Sequence, residues 1–93
     1  MKYKVIYSKQ FKKDLRRYER SGRFDLDNFH CVTNLLASGM ILPPQYRNHP
    51  LEGLREDACE CHVEPDLLLI YRKIGDASVL YLFRLGSHSD LFD

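Results

Sequence analysis

Polar and apolar positions follow two rhythms along this chain. Tyr3-Lys4-Val5-Ile6-Tyr7 is rich in strand formers and predicts a short strand. From Ser8 the rhythm changes: Phe11, Leu15 and Tyr18 recur at helical spacing with basic residues between them. Ser8 stands where an N-cap belongs, and Ser21-Gly22 closes the segment. Phe24 and Asp25 open a second helical stretch with apolar positions at Leu26, Phe29, Val32, Leu35 and Leu36, ending at Ser38-Gly39. Residues 39–50 carry Gly39, Pro43, Pro44 and Pro50 and predict an irregular segment, too apolar at Met40-Ile41-Leu42 to be a linker. Strand patterning resumes at Ala58–Val63, Leu67–Lys73 and Ser78–Arg84, with turns at Pro65-Asp66 and Gly75-Asp76. The expected fold is α+β: an N-terminal strand, two helices, then an antiparallel β-meander, forming a two-layer sandwich in one domain over residues 1–93.

Composition narrows the function. The chain has 93 residues, 44% hydrophobic and 29% charged, an ordinary balance for a globular domain. No apolar run approaches the roughly 18 residues of a membrane helix, and the N-terminus has no apolar block of signal-peptide length. A cytoplasmic protein without membrane contact is expected. Three cysteines are too few for a disulfide scaffold, and Cys59-Glu60-Cys61-His62 is a poor zinc spacing, so no metal or cofactor is expected. The net charge of +1 conceals a split. Residues 1–23 carry nine basic against two acidic side chains, and the remainder is acidic. Such asymmetry fits either a solvated helix face or a surface facing a polyanion.

Strand register places the remaining polar residues. With two-residue loops at both turns, Glu64 pairs with Leu67, His62 with Leu69, Leu69 with Leu82 and Leu67 with Arg84. Paired residues share a face, and each strand alternates faces. One face then carries Cys59, Cys61, Val63, Leu68, Ile70, Val79, Tyr81 and Phe83, and the helices should cover it. The opposite face carries Glu60, His62, Glu64, Leu67, Leu69, Tyr71, Leu80, Leu82 and Arg84. Its leucines would be exposed unless a partner or the 40–54 segment covers them. Asp66 lies in the first turn, and His88 follows Arg84 beyond the Gly86-Ser87 bend. A lone strand histidine is more often structural than catalytic. Here His62, Asp66, Arg84 and His88 are expected at one sheet end, with His49 on an adjoining loop, and such convergence marks a site.

Three segments carry a resemblance. His49-Pro50-Leu51-Glu52-Gly53, Cys61-His62-Val63-Glu64-Pro65-Asp66-Leu67-Leu68-Leu69-Ile70-Tyr71 and Arg84-Leu85-Gly86-Ser87-His88-Ser89-Asp90-Leu91-Phe92 resemble, in order and spacing, the YafQ-type toxins of the RelE/ParE superfamily. The N-terminal pattern Tyr3-x-x-x-Tyr7-Ser8-Lys9-Gln10-Phe11-Lys12-Lys13-Asp14-Leu15 resembles the same group. The resemblance implies a RelE-like fold and a bacterial type II toxin–antitoxin toxin that cuts mRNA in the ribosomal A site. It implies attack by the RNA's own 2′-hydroxyl, without metal, and functional positions at His49, His62, Asp66, Arg84, His88 and Phe92. Leu67 departs from the pattern: well-known relatives carry tryptophan there, so Leu67 stands at a substrate-binding position without the aromatic ring.

The chemistry assigns expected roles. A base must take the 2′-hydroxyl proton, an acid must protonate the 5′-oxygen, and donors must stabilise the added charge. His88 is the expected acid, and Asp66 or His62 the base. Arg84 binds the scissile phosphate, since a guanidinium contacts two oxygens at once. His49 supports phosphate charge or orients the nucleotide. Phe92 stacks on a base or packs the C-terminus. Lys9, Lys12, Lys13, Arg16, Arg17 and Arg20, with Arg23, would grip ribosomal RNA backbone. An acidic, partly disordered antitoxin, the 70S ribosome with its mRNA, and operator DNA reached through the antitoxin are the expected partners. The alternatives are a ParE-like gyrase-binding poison that does not cut RNA, a zinc module on Cys59, Cys61, His62 and His49, and a degenerate, inactive toxin.

Overall fold

Ser8 ends the first strand, β1 (Lys4–Tyr7), and caps the helix that follows, α1 (Lys9–Ser21). Its hydroxyl accepts from Phe11 N at 2.9 Å. A computed structural model describes residues 2–22, 24–51 and 58–92. Gly22 takes a left-handed φ of 73°, which turns the chain out of α1. Asp25 caps α2 (Leu26–Ala37), accepting from Asn28 N at 3.0 Å. The irregular segment contains a 3-10 turn at Pro44–Tyr46 and a two-residue strand, β2 (His49–Pro50). Three longer strands follow, β3 (Ala58–Glu64), β4 (Leu67–Ile74) and β5 (Val79–Gly86), and a short helix, α3 (His88–Phe92), comes last.

The five strands lie in the order β1-β5-β4-β3-β2. The β3-β4-β5 meander is antiparallel as expected, and β1 adds to its outer edge parallel to β5. Both long helices contribute to the layer on one face. Phe11, Phe29, Val32 and Leu36 pack there against Cys61, Val63, Leu67, Leu69, Tyr71, Leu80, Leu82 and Leu85. Phe11, Phe29, Leu69, Leu80 and Leu82 are fully buried. Each such side chain contributes about 1.5–3 kcal/mol of transfer free energy, so this seam holds the two layers together.

Two β-bulges correct the expected faces. His62 pairs with Leu68 rather than Leu69, because the register shifts by one between His62 and Glu64. That extra residue turns Leu67, Leu69 and Tyr71 toward the helices, and Leu80 and Leu82 with them. Leu67 is therefore 5% exposed and part of the core, not on the open face with His62. The supposed exposed leucine row is the core itself, and Ile70, Val79, Tyr81 and Phe83 line the other face. The second hairpin loop spans Gly75–Ser78, so Ile74 pairs with Val79 rather than Ala77. A further shift between Ile70 and Tyr71 then pairs Ile70 with Arg84 and returns Arg84 to the face of His62. Arg23 and the Glu52-Gly53 part of the first motif lie outside the described residues.

Candidate active site

Register carries one row of side chains across the open face. His49 pairs with Glu60, Glu60 with Ile70, and Ile70 with Arg84. With strands about 4.8 Å apart, the backbone spans about 14 Å from His49 to Arg84. The next row holds His62, Leu68 and Gly86.

Glu60 is the centre of one half. It is 5% exposed, and one carboxylate oxygen lies 3.9 Å from His49 Nε2 and 3.8 Å from His62 Nε2. These separations exceed a hydrogen bond, so the groups are electrostatic neighbours. His49 Nδ1 lies 3.1 Å from Pro50 O, and His62 Nδ1 lies 3.2 Å from Pro65 O. A carbonyl only accepts, so each Nδ1 carries a hydrogen and each Nε2 is the nitrogen left to exchange a proton.

The other half comes from β5 and α3. Asp66, exposed in the β3–β4 turn, places Oδ1 3.5 Å from the backbone N of His88. His88 opens α3, and its ring centre is 5.1 Å from that of Phe92. The helix is held by a reciprocal cap: Ser87 Oγ accepts from Asp90 N at 3.1 Å, and Asp90 Oδ2 accepts from Ser87 N at 3.2 Å. Tyr18 OH (2.7 Å) and Arg17 Nη2 (3.2 Å) donate to the same Asp90 oxygen, tying α3 to α1. The Tyr18 bond chiefly holds the Asp90 carboxyl below its ordinary range. Gly86 permits the close approach, since an added Cβ would lie 3.0 Å from Asp90 Cβ and 3.1 Å from Leu91 Cδ2.

Arg84 is paired with Asp14 of α1, through Nε to Oδ2 at 2.8 Å and Nη2 to Oδ1 at 3.3 Å. Burial pushes the Asp14 carboxyl up, but the bonds from Arg84, Leu85 N and Gln10 outweigh it and hold the group below its ordinary value. The Asp14 bond raises Arg84 in turn. Arg84 and Phe92 line a groove of about 830 Å³ over the open face, with Ile70, Tyr81 and Phe83. A second groove, about 340 Å³, is lined by His62, Tyr46, Arg47 and Glu64.

His49 and His62 are thus brought together around Glu60, Asp66 meets the His88 backbone, and His88 meets Phe92. Lys9, Lys12, Lys13, Arg16, Arg17 and Arg20 are exposed along α1, with Arg17 drawn to Asp90. Sequence reasoning gave no role to Glu60, Asp14, Tyr18 or Asp90. The alternation of Glu60 and His62 was visible, but the two-residue strand that brings His49 beside them was not. His49, Glu60 and His62 also offer three ligand atoms within 4.8 Å of one another, a nitrogen–oxygen set suited to a divalent transition metal. The cysteines do not join them: Cys61 is buried among the core residues, and burial pushes its thiol up to about 12. No helix among the described residues is long and apolar enough to cross a membrane.

A family model described as a bacterial toxin of type II toxin–antitoxin system, YafQ, matches residues 3–93. The chain belongs to the YafQ family. The mRNA interferase toxin YafQ of Escherichia coli K12 is 36% identical over 89 residues, covering 95% of this chain and 94% of that one. A metal-bound toxin from Helicobacter pylori superposes with a TM-score of 0.92 at 44% identity, over 97% of this chain and 99% of its own. The DinJ-YafQ complex of E. coli gives 0.88 at 32% identity, over 98% and 99%. The likeness to YafQ-type toxins, read from the three motifs, is borne out for family and fold.

Proposed function

We propose that this YafQ-family toxin is a ribosome-dependent endoribonuclease that cuts mRNA in the ribosomal A site and so arrests translation. One observation carries the reading: His49, Glu60 and His62 stand together at one end of a row that reaches Arg84, with His88 held at the adjacent strand end. The mRNA interferase activity named for the E. coli relative fits a site of this composition.

The 2′-oxygen of the nucleotide before the cut gives its proton to His62 or Asp66 and attacks the adjoining phosphorus. The bond from phosphorus to the 5′-oxygen breaks, and that oxygen takes a proton from His88. The products are a 2′,3′-cyclic phosphate and a 5′-hydroxyl. Arg84 neutralises the charge gathering on the phosphoryl oxygens, and His49 supports it. The Glu60 carboxyl lies within 4 Å of both Nε2 atoms, and the carbonyls of Pro50 and Pro65 hold the two rings at Nδ1. Phe92, exposed beside His88, offers a stacking face for a base, a contact worth about 1–3 kcal/mol. One groove covers the Ile70–Arg84 part of the row and the other adjoins His62, and both leave room for RNA. The α1 cations grip ribosomal RNA without reading its sequence.

The DinJ-YafQ complex supports a cognate antitoxin partner, and in this reading that partner is acidic, wraps the domain and carries the pair to operator DNA. Inducing the toxin in bacteria and mapping mRNA 5′ ends tests the reading. In-frame cuts inside translated regions support it; intact mRNA with damaged DNA would favour the gyrase-poison alternative. A second reading follows from the His49–Glu60–His62 set and the metal-bound relative. Cleavage that survives chelation supports acid–base catalysis by imidazole, whereas cleavage abolished by chelation and restored by metal makes the set a metal centre.

A further inference from the structure

We propose that Asp14 is a positioning residue for cleavage: its carboxylate grips Arg84 from the side and fixes the guanidinium that meets the scissile phosphate. The proposal rests on the reading of Arg84 given above.

Asp14 is unexpected where it stands. Its neighbours along α1 are Lys12, Lys13, Arg16 and Arg17, and a carboxylate among them reads as a solvated charge. Instead it is 3% exposed. Burying a carboxylate is unfavourable unless its oxygens are well bonded, and a buried ion pair is a poor source of stability by itself. Here both oxygens are in use. Oδ2 accepts from Arg84 Nε at 2.8 Å and Leu85 N at 3.0 Å, and Oδ1 accepts from Arg84 Nη2 at 3.3 Å and Gln10 Nε2 at 3.2 Å.

Part of this is backbone work. β1 accompanies β5 only as far as Leu82. Beyond that point the cap residue and α1 take over the edge, with Ser8 Oγ donating to Phe83 O at 2.7 Å and Asp14 accepting from Leu85 N. A neutral amide oxygen can do that much. A charged fork is required only by the guanidinium. With Nε and one edge of Nη2 engaged, the N–H groups left over all belong to the far end of the guanidinium, and the Arg84 side chain is 35% exposed where it lines the groove. The plane is set before substrate arrives, which is what electrostatic stabilisation of a transition state requires.

The test is single-turnover cleavage of ribosome-bound mRNA by wild type, Asp14→Asn, Arg84→Ala and the double variant, each with its melting temperature. Asparagine keeps an oxygen for Leu85 N but turns an amide donor toward Arg84. The expected result is a loss of about 10- to 100-fold in the maximal rate with ribosome affinity nearly unchanged. In the Arg84→Ala background Asp14→Asn should cost nothing further, because the pair acts as one unit. Arg84→Lys, which keeps the charge but cannot be held from the side, should lose as much as Asp14→Asn. Equal losses from Asp14→Asn with and without Arg84, or a wild-type rate from either Asp14→Asn or Arg84→Lys, would overturn the proposal. If Asp14→Asn does not fold, Arg84→Lys decides alone. A wild-type rate from Arg84→Ala would instead remove Arg84 from phosphate binding, a different failure.

Discussion

Tyr18→Phe removes one oxygen and asks whether α1 holds His88 in place. The hydroxyl donates to Asp90 Oδ2 at 2.7 Å and accepts from Ser87 N at 3.1 Å. Ser87 N retains Asp90 Oδ2 at 3.2 Å, so the loss is mainly one hydrogen bond to a charged acceptor. Sheltered bonds of that kind contribute about 1.5–3 kcal/mol. The Asp90 side chain is 35% exposed, and solvent screening brings the figure to about 1–1.5 kcal/mol. A helix of five residues has too few internal bonds to persist undocked. Its opening should therefore become about 5- to 12-fold more frequent, at tenfold per 1.4 kcal/mol. Amide hydrogen exchange reads this at Leu91, whose N–H donates to Ser87 O at 3.1 Å. Leu91 should lose protection by that factor while Leu82, in the core, keeps its own, and single-turnover cleavage should fall by no more than the same factor. Unchanged protection at Leu91 would refute the tether, and equal losses at Leu91 and Leu82 would show a global effect instead.

Leu69→Ala should destabilise the protein by about 2–5 kcal/mol in urea unfolding, since Leu69 lies buried between sheet and helices; a change under about 0.5 kcal/mol would return it to the open face. Reversing Lys12, Lys13 and Arg16 to glutamate should weaken ribosome binding and flatten its salt dependence, whereas unchanged binding would leave α1 a merely solvated surface. Asp14 is held below its ordinary value of 3.8, so its ionised form contributes stability that is complete above that pH and is lost as pH falls through the lowered native value. The stability difference between wild type and Asp14→Asn should accordingly shrink on acidification below about pH 4; a difference constant down to acid unfolding would deny the linkage.

The elements were legible because local chemistry states them: Ser8 and Asp25 as caps, Gly22 as a stop, and Phe11, Phe29 and Leu36 at helical spacing. The faces of the sheet were not, because alternation carries no mark for an inserted residue. Strict alternation puts Leu67, Leu69, Leu80 and Leu82 on the open face, and one bulge near Val63 turns them into the core. Alternation agrees with the structure at Arg84 only because a second bulge, at Phe83, undoes the displacement of the first. His62 needed no correction, as it precedes both. The partnership of Asp14 with Arg84 spans 70 residues of sequence and depends on where β1 stops, which no local pattern encodes. Glu60 was visible on the site face, yet its meeting with His49 depended on a strand of two residues, too short to leave a periodicity.

The decisive measurement is cleavage of a ribosome-bound mRNA carrying a single 2′-deoxynucleotide immediately before the cut. Attack by the 2′-hydroxyl predicts that the ribose form yields a 2′,3′-cyclic or 3′-phosphate end and that the deoxy form stays intact. Cleavage of the deoxy substrate at the same bond, or a 3′-hydroxyl product from the ribose form, would contradict it.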